Sequence, residues 1–413
     1  MGKHWDKFWI KISLFNFFLV AFMGALMRYK IVWSIPFLDQ KHLQEAHSHF
    51  AFYGWISSVV YLLIFRSVRT QLPSGKIKAY QGIIGLNIVA SYGMLFSFLW
   101  SGYYWGSIFW SALALILGWG MLGLWLRDYG KLAPHPSKLW FLGGLSLAAF
   151  SSAGVFSLVY LKASGLINPS FYMASTLFYL HFQYNGFFLF SCLGILSDFL
   201  SFQEKDLQKH RLVFWGMFFS VLGGYALSVT WLDRSGWLLG VAALGNILQL
   251  LSVWGLVGLV KSPLARFLSQ RKPLEKIIFV VVAGAYFLKV ILQQFSIIPE
   301  VSQWVFGFRT IVIAYLHLVL LVCISSFLLF AIVVGYDFRQ TRMFRLGMTL
   351  YLVFVLLNEL GLAQIGVLSL FGFYWRWSPV LLWWISVVLV MAVLFLFFGL
   401  RSKKNKEEIY SSL

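Results

Sequence analysis

The sequence predicts an all-α polytopic membrane protein, folded as a single transmembrane domain over residues 1–413. Three observations carry this. The chain is 60% hydrophobic and 11% charged, with a mean hydropathy of +0.79, whereas a soluble domain is about half apolar and about a quarter charged. Apolar runs of about 20 residues, the length that crosses a bilayer, recur from end to end. No polar stretch is long enough for a soluble domain of its own.

Charged residues and Pro/Gly breaks divide the chain into 12 candidate spans, at about 10–27, 44–65, 80–100, 105–126, 138–161, 170–197, 211–231, 236–260, 276–296, 308–335, 345–365 and 379–400. The first follows the basic stretch Met1–Lys11 and ends at Arg28-Tyr29-Lys30. No small-residue cleavage site follows it, so it reads as a helix and not a signal peptide. The net charge of +19 lies in short loops, where it sets orientation; no nucleic-acid partner is expected. Arg66, Arg69, Lys76 and Lys78 fill one loop. Lys261, Arg266, Arg271, Lys272 and Lys276 fill another. Arg339, Arg342 and Arg345 fill a third, and Arg401, Lys403, Lys404 and Lys406 form the tail. All fall on the N-terminal side, which places both termini in the cytoplasm of a bacterial inner membrane.

The second, sixth and tenth spans then run from outside to inside, and each carries a histidine. His49 lies 17 residues before Arg66, His181 lies 17 before Asp198, and His317 lies 20 before Asp337. At about 1.5 Å per residue each sits some 25–30 Å above the cytoplasmic boundary. A polar residue at that depth suggests function, and three at one level suggest a metal centre, best read as haem. His47 and His49 project about 200° apart, so they do not bind the same ion; which of them faces the cofactor is left open. His42 is expected at the outer boundary in solvent. His4, His135 and His210 fall in cytoplasmic segments and read as unrelated.

Other buried groups have structural readings. Lys289 and Glu359 lie at matching depth and read as an ion pair, with proton transfer as the alternative. Gly143-Gly144 and Gly223-Gly224 suit close helix packing. Cys192 and Cys323 sit in apolar runs and imply no disulfide. Nucleotide fingerprints and H-E-x-x-H are absent. So is C-x-x-C-H, so any haem is expected to be non-covalent, with b-type the first expectation and the haem type left open.

Twelve spans with both termini inside, and histidines on the second, sixth and tenth, resemble the catalytic subunit of the haem–copper oxidase superfamily. The run His181-Phe182-Gln183-Tyr184-Asn185-Gly186-Phe187-Phe188 is similar to the sixth-helix motif of its nitric oxide reductase branch, H-L-W-V-E-G-F-F. The resemblance implies an oxidase-like bundle in which His49 (or His47) and His317 hold a low-spin haem and His181 is the first ligand of a second metal. Departures are plain: the seventh span, Leu212–Trp231, has no histidine, Tyr315 stands where a high-spin haem ligand belongs, and Asn185 replaces the reductase glutamate. The expectation is a haem protein of electron transfer or of NO/O₂ respiration with a degenerate active site, served by a cytochrome or quinol donor and surrounded by lipid. A haem-free secondary transporter and a non-catalytic oxidase-like assembly protein are the alternatives.

Overall fold

The computed structural model describes residues 2–166, 168–202, 206–232 and 235–402. The tail lysines Lys403, Lys404 and Lys406 lie outside the described residues. Long helices dominate: α1 Gly2–Val32, α2 Gln40–Gln71, α3 Ser74–Ser101, α4 Trp105–Tyr129, α5 Pro136–Ala163, α6 at 169–199, α7 Leu207–Val229, α8 Gly236–Ser269, α9 Pro273–Phe295, α10 Arg309–Gly335, α11 Arg342–Leu370 and α12 Ser378–Gly399. A short helix, Pro299–Gly307, leads into α10. Among the described residues, eleven of these helices are long and apolar enough to cross a membrane. The protein is thus an all-α, multi-pass membrane protein. The remaining one, α6, is an unbroken helical stretch with His181, Gln183 and Asn185 at its middle, and these polar residues dilute its hydropathy.

Local chemistry sets the helix starts. Asp39 caps α2 by accepting the N–H groups of Lys41 and His42, each at 2.8 Å. Asn168 caps α6, with Pro169 at the first helical position, where a missing N–H costs nothing. Thr341 caps α11. Strand β1, Phe338–Gln340, pairs antiparallel with β2, Leu400–Ser402, clipping the α10–α11 link to the end of α12. We call this the terminal face, because α1 begins and α12 ends there; the opposite end is the far face.

The helices pack as three arcs. One runs α11–α12–α1–α2, the next α3–α4–α5–α6, the third α7–α8–α9–α10. The last helix of each arc stands at the centre, where α2, α6 and α10 touch one another. Each central helix contains one π-helical segment: Phe50–Ser57, Phe182–Phe188 and Leu318–Ser325. Each segment begins one residue after a histidine, His49, His181 or His317. A π segment is rare and concentrates at functional sites. Its widened turn loosens the normal i→i−4 ladder, and here hydroxyls and amides take up the carbonyls. Ser58 and Ser325 donate to Tyr53 O and Leu320 O, five residues back, each at 2.8 Å. Asn16 of α1 donates to Gly54 O at 2.7 Å, and Asn87 of α3 to Tyr53 O at 3.0 Å.

Packing changes at the histidine level. From Phe50 to Phe65 on α2 and from Leu318 to Ile332 on α10 nearly every side chain is buried. On the far-face side, Arg309–His317 contains no buried residue, and Gln40–His49 buries only Leu43 and Ala46. Along α2 and α10 the core is therefore dense toward the terminal face and more open at and beyond His49 and His317.

Two expectations are corrected. The first helix does not end near Met27 but continues to Val32, so Arg28 lies inside the bundle. Lys289 and Glu359 do not pair. Lys289 Nζ donates to Gln293 Oε1 at 2.6 Å on its own helix, while Glu359 accepts from Asn358 at 2.9 Å and lies within electrostatic reach of Arg28. The expected close packing at Gly223 is found: a Cβ built on Gly245 of α8 would sit 2.9 Å from Gly223 C.

Candidate functional site

The four histidines differ in how their ring nitrogens are used. His47 Nδ1 donates to Val20 O of α1 at 3.0 Å, and its ring lies against Gly24. His317 Nδ1 donates to Ile313 O, one turn back on α10, at 2.8 Å. His49 Nδ1 donates in the same way to Glu45 O at 2.9 Å. A ring that donates from Nδ1 to a carbonyl keeps its lone pair on Nε2, which is how protein scaffolds orient an imidazole to bind iron or another metal. All three rings are half-buried. His181 is different. It is 2% exposed, donates from Nε2 to Val221 O at 2.8 Å, and accepts on Nδ1 from Asn185 Nδ2 at 3.2 Å. Both its nitrogens are engaged.

The histidines also face different ways. His47 turns to α1, where its Nδ1 meets Val20 O, and Arg28 of the same helix is within electrostatic reach of both His47 and His317 of α10. His49 turns to the α3–α6 arc, where it stacks on Phe98 at 4.2 Å, with its Nε2 3.5 Å from Tyr103 Oη. His181 faces α7 and Lys289. The roughly 200° between positions 47 and 49 on a helix thus separates two arcs, as the spacing predicts.

Aromatic groups tie the central helices together around the histidines. The hydroxyls of Tyr53 and Tyr179 meet at 3.0 Å between α2 and α6. Trp55 Nε1 donates to Ser325 Oγ at 2.9 Å between α2 and α10. The rings of Tyr184 and Tyr315 lie 6.2 Å apart between α6 and α10. Tyr315, two residues before His317, thus serves in a contact between central helices.

Sequence reasoning missed Arg28, whose Nη1 donates to Leu382 O of α12 at 2.9 Å. An arginine at the apparent end of an apolar run gives no sign that its helix continues. His210 is 3% exposed and packs edge-on against Phe202 at 4.3 Å. The His135 ring lies 6.4 Å from that of Phe202. Burial lowers the pKa of His135, against the pull of the Asp198 charge.

Among the described residues, no three His, Cys, Asp or Glu side chains converge as a metal-holding set. A centre built from protein ligands alone needs such a set. A haem does not, because the porphyrin supplies four of the ligands and the protein only the axial ones. The donor set at His47 and His317 fits that need: two neutral imidazoles on separate helices, each with Nε2 available. No family profile and no curated protein matches the chain.

Proposed function

We propose that this chain is a haem-binding electron-transfer protein of a bacterial inner membrane, with an oxidase-like bundle of twelve spans and both termini cytoplasmic. The observation that carries it is that His47 and His317, on two central helices, are each anchored through Nδ1, with Arg28 within electrostatic reach of both. The arrangement favours His47 over His49 as the partner of His317. Bound between them, a b-type haem would supply one-electron chemistry at a six-coordinate iron. Val20 and Ile313 fix the two ring orientations; Arg28, in the same arc, is placed to balance negative charge. The packing of α6 at the centre supports counting it as the twelfth span despite its polar residues. The basic loops support the orientation.

A second metal at His181 would have to displace Val221 O or Asn185 from its ring, so His181 is given no ligand role in this reading. A transporter reading gains nothing from the architecture, since three arcs are not the two related halves that alternating access uses. A cytochrome or quinol donor remains the partner class that suits a six-coordinate haem.

The test is a dithionite-reduced minus oxidised optical spectrum of the purified protein, with pyridine haemochrome quantification. A sharp low-spin band near one haem per chain supports the proposal. Protein from haem-replete cells that carries no haem overturns it and favours the assembly-protein reading.

A further inference from the structure

The third arc, with α6 beside it, holds a cluster of polar side chains that the haem reading leaves unused. On α9, Lys289 Nζ donates to Gln293 Oε1 at 2.6 Å. Gln249 of α8 donates to the same oxygen at 3.2 Å and accepts from Gln294 of α9 at 2.9 Å. The amide nitrogen of Gln293 faces α7, where Nε2 lies 3.3 Å from a Cβ built on Gly224. His181 of α6 reaches the same point, with Cε1 at 3.5 Å. Asn185 Nδ2 bonds Nδ1 of that ring at 3.2 Å. Lys289, Gln293, His181 and Asn185 thus form one connected cluster around Gly224. Asn246 joins it from α8, one turn before Gln249 and next to Gly245, whose built Cβ lies 3.0 Å from Gly224 N. Lys289, Gln293, Gln249, Asn246, His181 and Asn185 are all buried.

Two features of the cluster call for a partner that the chain does not supply. Among the described residues, Lys289 forms no ion pair. The ionisable groups within its electrostatic reach are His181 and Cys323 of α10, and neither is a carboxylate. An ammonium offers three donors, and a charge at membrane depth is expensive without an opposite one. Further, Asn185 Oδ1 and Asn246 Oδ1 are buried and accept no hydrogen bond, which is costly for a carbonyl oxygen. The ammonium requires an anion and the amide oxygens require a donor. Chloride would meet only the first need, and a dianion would leave one charge unbalanced. Side chains bonded this closely leave room for only a few atoms.

We propose that this cluster is a binding site for a small carboxylate-type monoanion that carries a hydroxyl, of about the size of bicarbonate. Its charged oxygens lie against Lys289 Nζ and Gln293 Nε2, and its hydroxyl donates to Asn185 Oδ1. Gly224 keeps the approach open, since any side chain there would stand between Gln293 and His181. The site is independent of the haem reading, and either can fail alone.

The experiment is equilibrium binding of radiolabelled bicarbonate and radiolabelled acetate to the full-length protein in detergent, at fixed pH and chloride. Acetate has the charge and shape of bicarbonate but a methyl in place of the hydroxyl. Wild type is expected to bind bicarbonate saturably, near one per chain, and acetate about fivefold or more weakly, the scale of one hydrogen bond. Lys289→Met should weaken both by more than about tenfold, as loss of a buried charge partner does. Asn185→Leu should keep acetate binding and erase the preference. Gln293→Glu sets a carboxylate beside Lys289, so it should block both anions and raise the thermal midpoint. Absence of saturable bicarbonate binding to wild type overturns the proposal. So does wild-type affinity in Lys289→Met, or in Gln293→Glu should the first variant not fold. Asn185→Leu with the preference intact overturns the place given to the hydroxyl.

Discussion

Arg66 Nη1 and Asp198 Oδ2 meet at 3.2 Å, joining α2 to α6 at the terminal face. Each residue lies 17 positions beyond its helix's histidine, His49 or His181. The same guanidinium donates from Nε to Gly335 O at 2.8 Å, 18 positions beyond His317 on α10. One side chain thus holds the three central helices in register, which is why their histidines share a level. The pair is partly buried and backed by the rings of Phe199 and Tyr336. Arg66→Met should destabilise the protein by about 1–3 kcal/mol, because it strands both Asp198 and the Gly335 carbonyl. Asp198→Asn in that background should recover part of the loss. Thermal midpoints of the four variants in detergent decide it; strict additivity would mean that the contact couples nothing.

The histidine assignment makes a prediction that separates neighbours two residues apart. His47→Ala and His317→Ala should each abolish the low-spin band. His49→Ala should leave it in place, since His49 faces the α3–α6 arc and stacks on Phe98. If His49→Ala removed the band and His47→Ala did not, the arc assignment would be reversed.

The π segment of α2 depends on side chains from its neighbours. Asn16 is fully buried, donates to Gly54 O at 2.7 Å and accepts from Tyr92 Oη at 2.7 Å. Asn16→Leu removes both bonds and leaves the buried Gly54 carbonyl and the half-buried Tyr92 hydroxyl without this partner. With one fully buried group stranded at roughly 1–3 kcal/mol, we expect a loss of about that size, larger than for Ser67→Ala near the terminal end of α2, whose hydroxyl bonds the Ile64 carbonyl of its own helix. Equal midpoints for the two variants would show that the π carbonyls do not need the amide.

Much of this was legible beforehand. Runs of apolar residues gave the helices, and loop charge placed His49, His181 and His317 at one depth before any contact was known. The π segments were not legible, because a widened turn alters hydrogen bonding without altering composition. The arcs escaped for another reason: a search for two related halves cannot find three quartets. Arg28 and the Lys289–Glu359 pairing failed together. Matching depth says how high a charge sits but not which way it faces, and Lys289 faces the α7–α10 arc while Glu359 faces Arg28.

Helix contact in the third arc depends on missing side chains. A Cβ on Gly245 would lie 2.9 Å from Gly223 C and 3.0 Å from Gly224 N, both backbone atoms that cannot swing away. Gly245→Ala should therefore force α7 and α8 apart and cost about 1–3 kcal/mol. Gly240→Ala is the control, since nothing lies within 4 Å of its built Cβ. A Gly245→Ala midpoint at or above that of Gly240→Ala would contradict the close approach.

The last prediction concerns the charge pair that does not form. Lys289 is 2% exposed, and its ammonium donates to Gln293 Oε1, which also accepts from Gln249 at 3.2 Å. Its acceptor is a neutral amide already shared with another donor. Lys289→Met keeps the aliphatic bulk and removes a buried charge, an exchange that is often neutral or favourable. It should cost under about 1.5 kcal/mol, the scale of one hydrogen bond. A cycle with Glu359→Gln should then be additive within about 0.5 kcal/mol, because the residues face different arcs and share no partner. Breaking a true buried pair costs about 3–5 kcal/mol in either single variant, and the second substitution then adds little. That pattern would place Lys289 and Glu359 in contact.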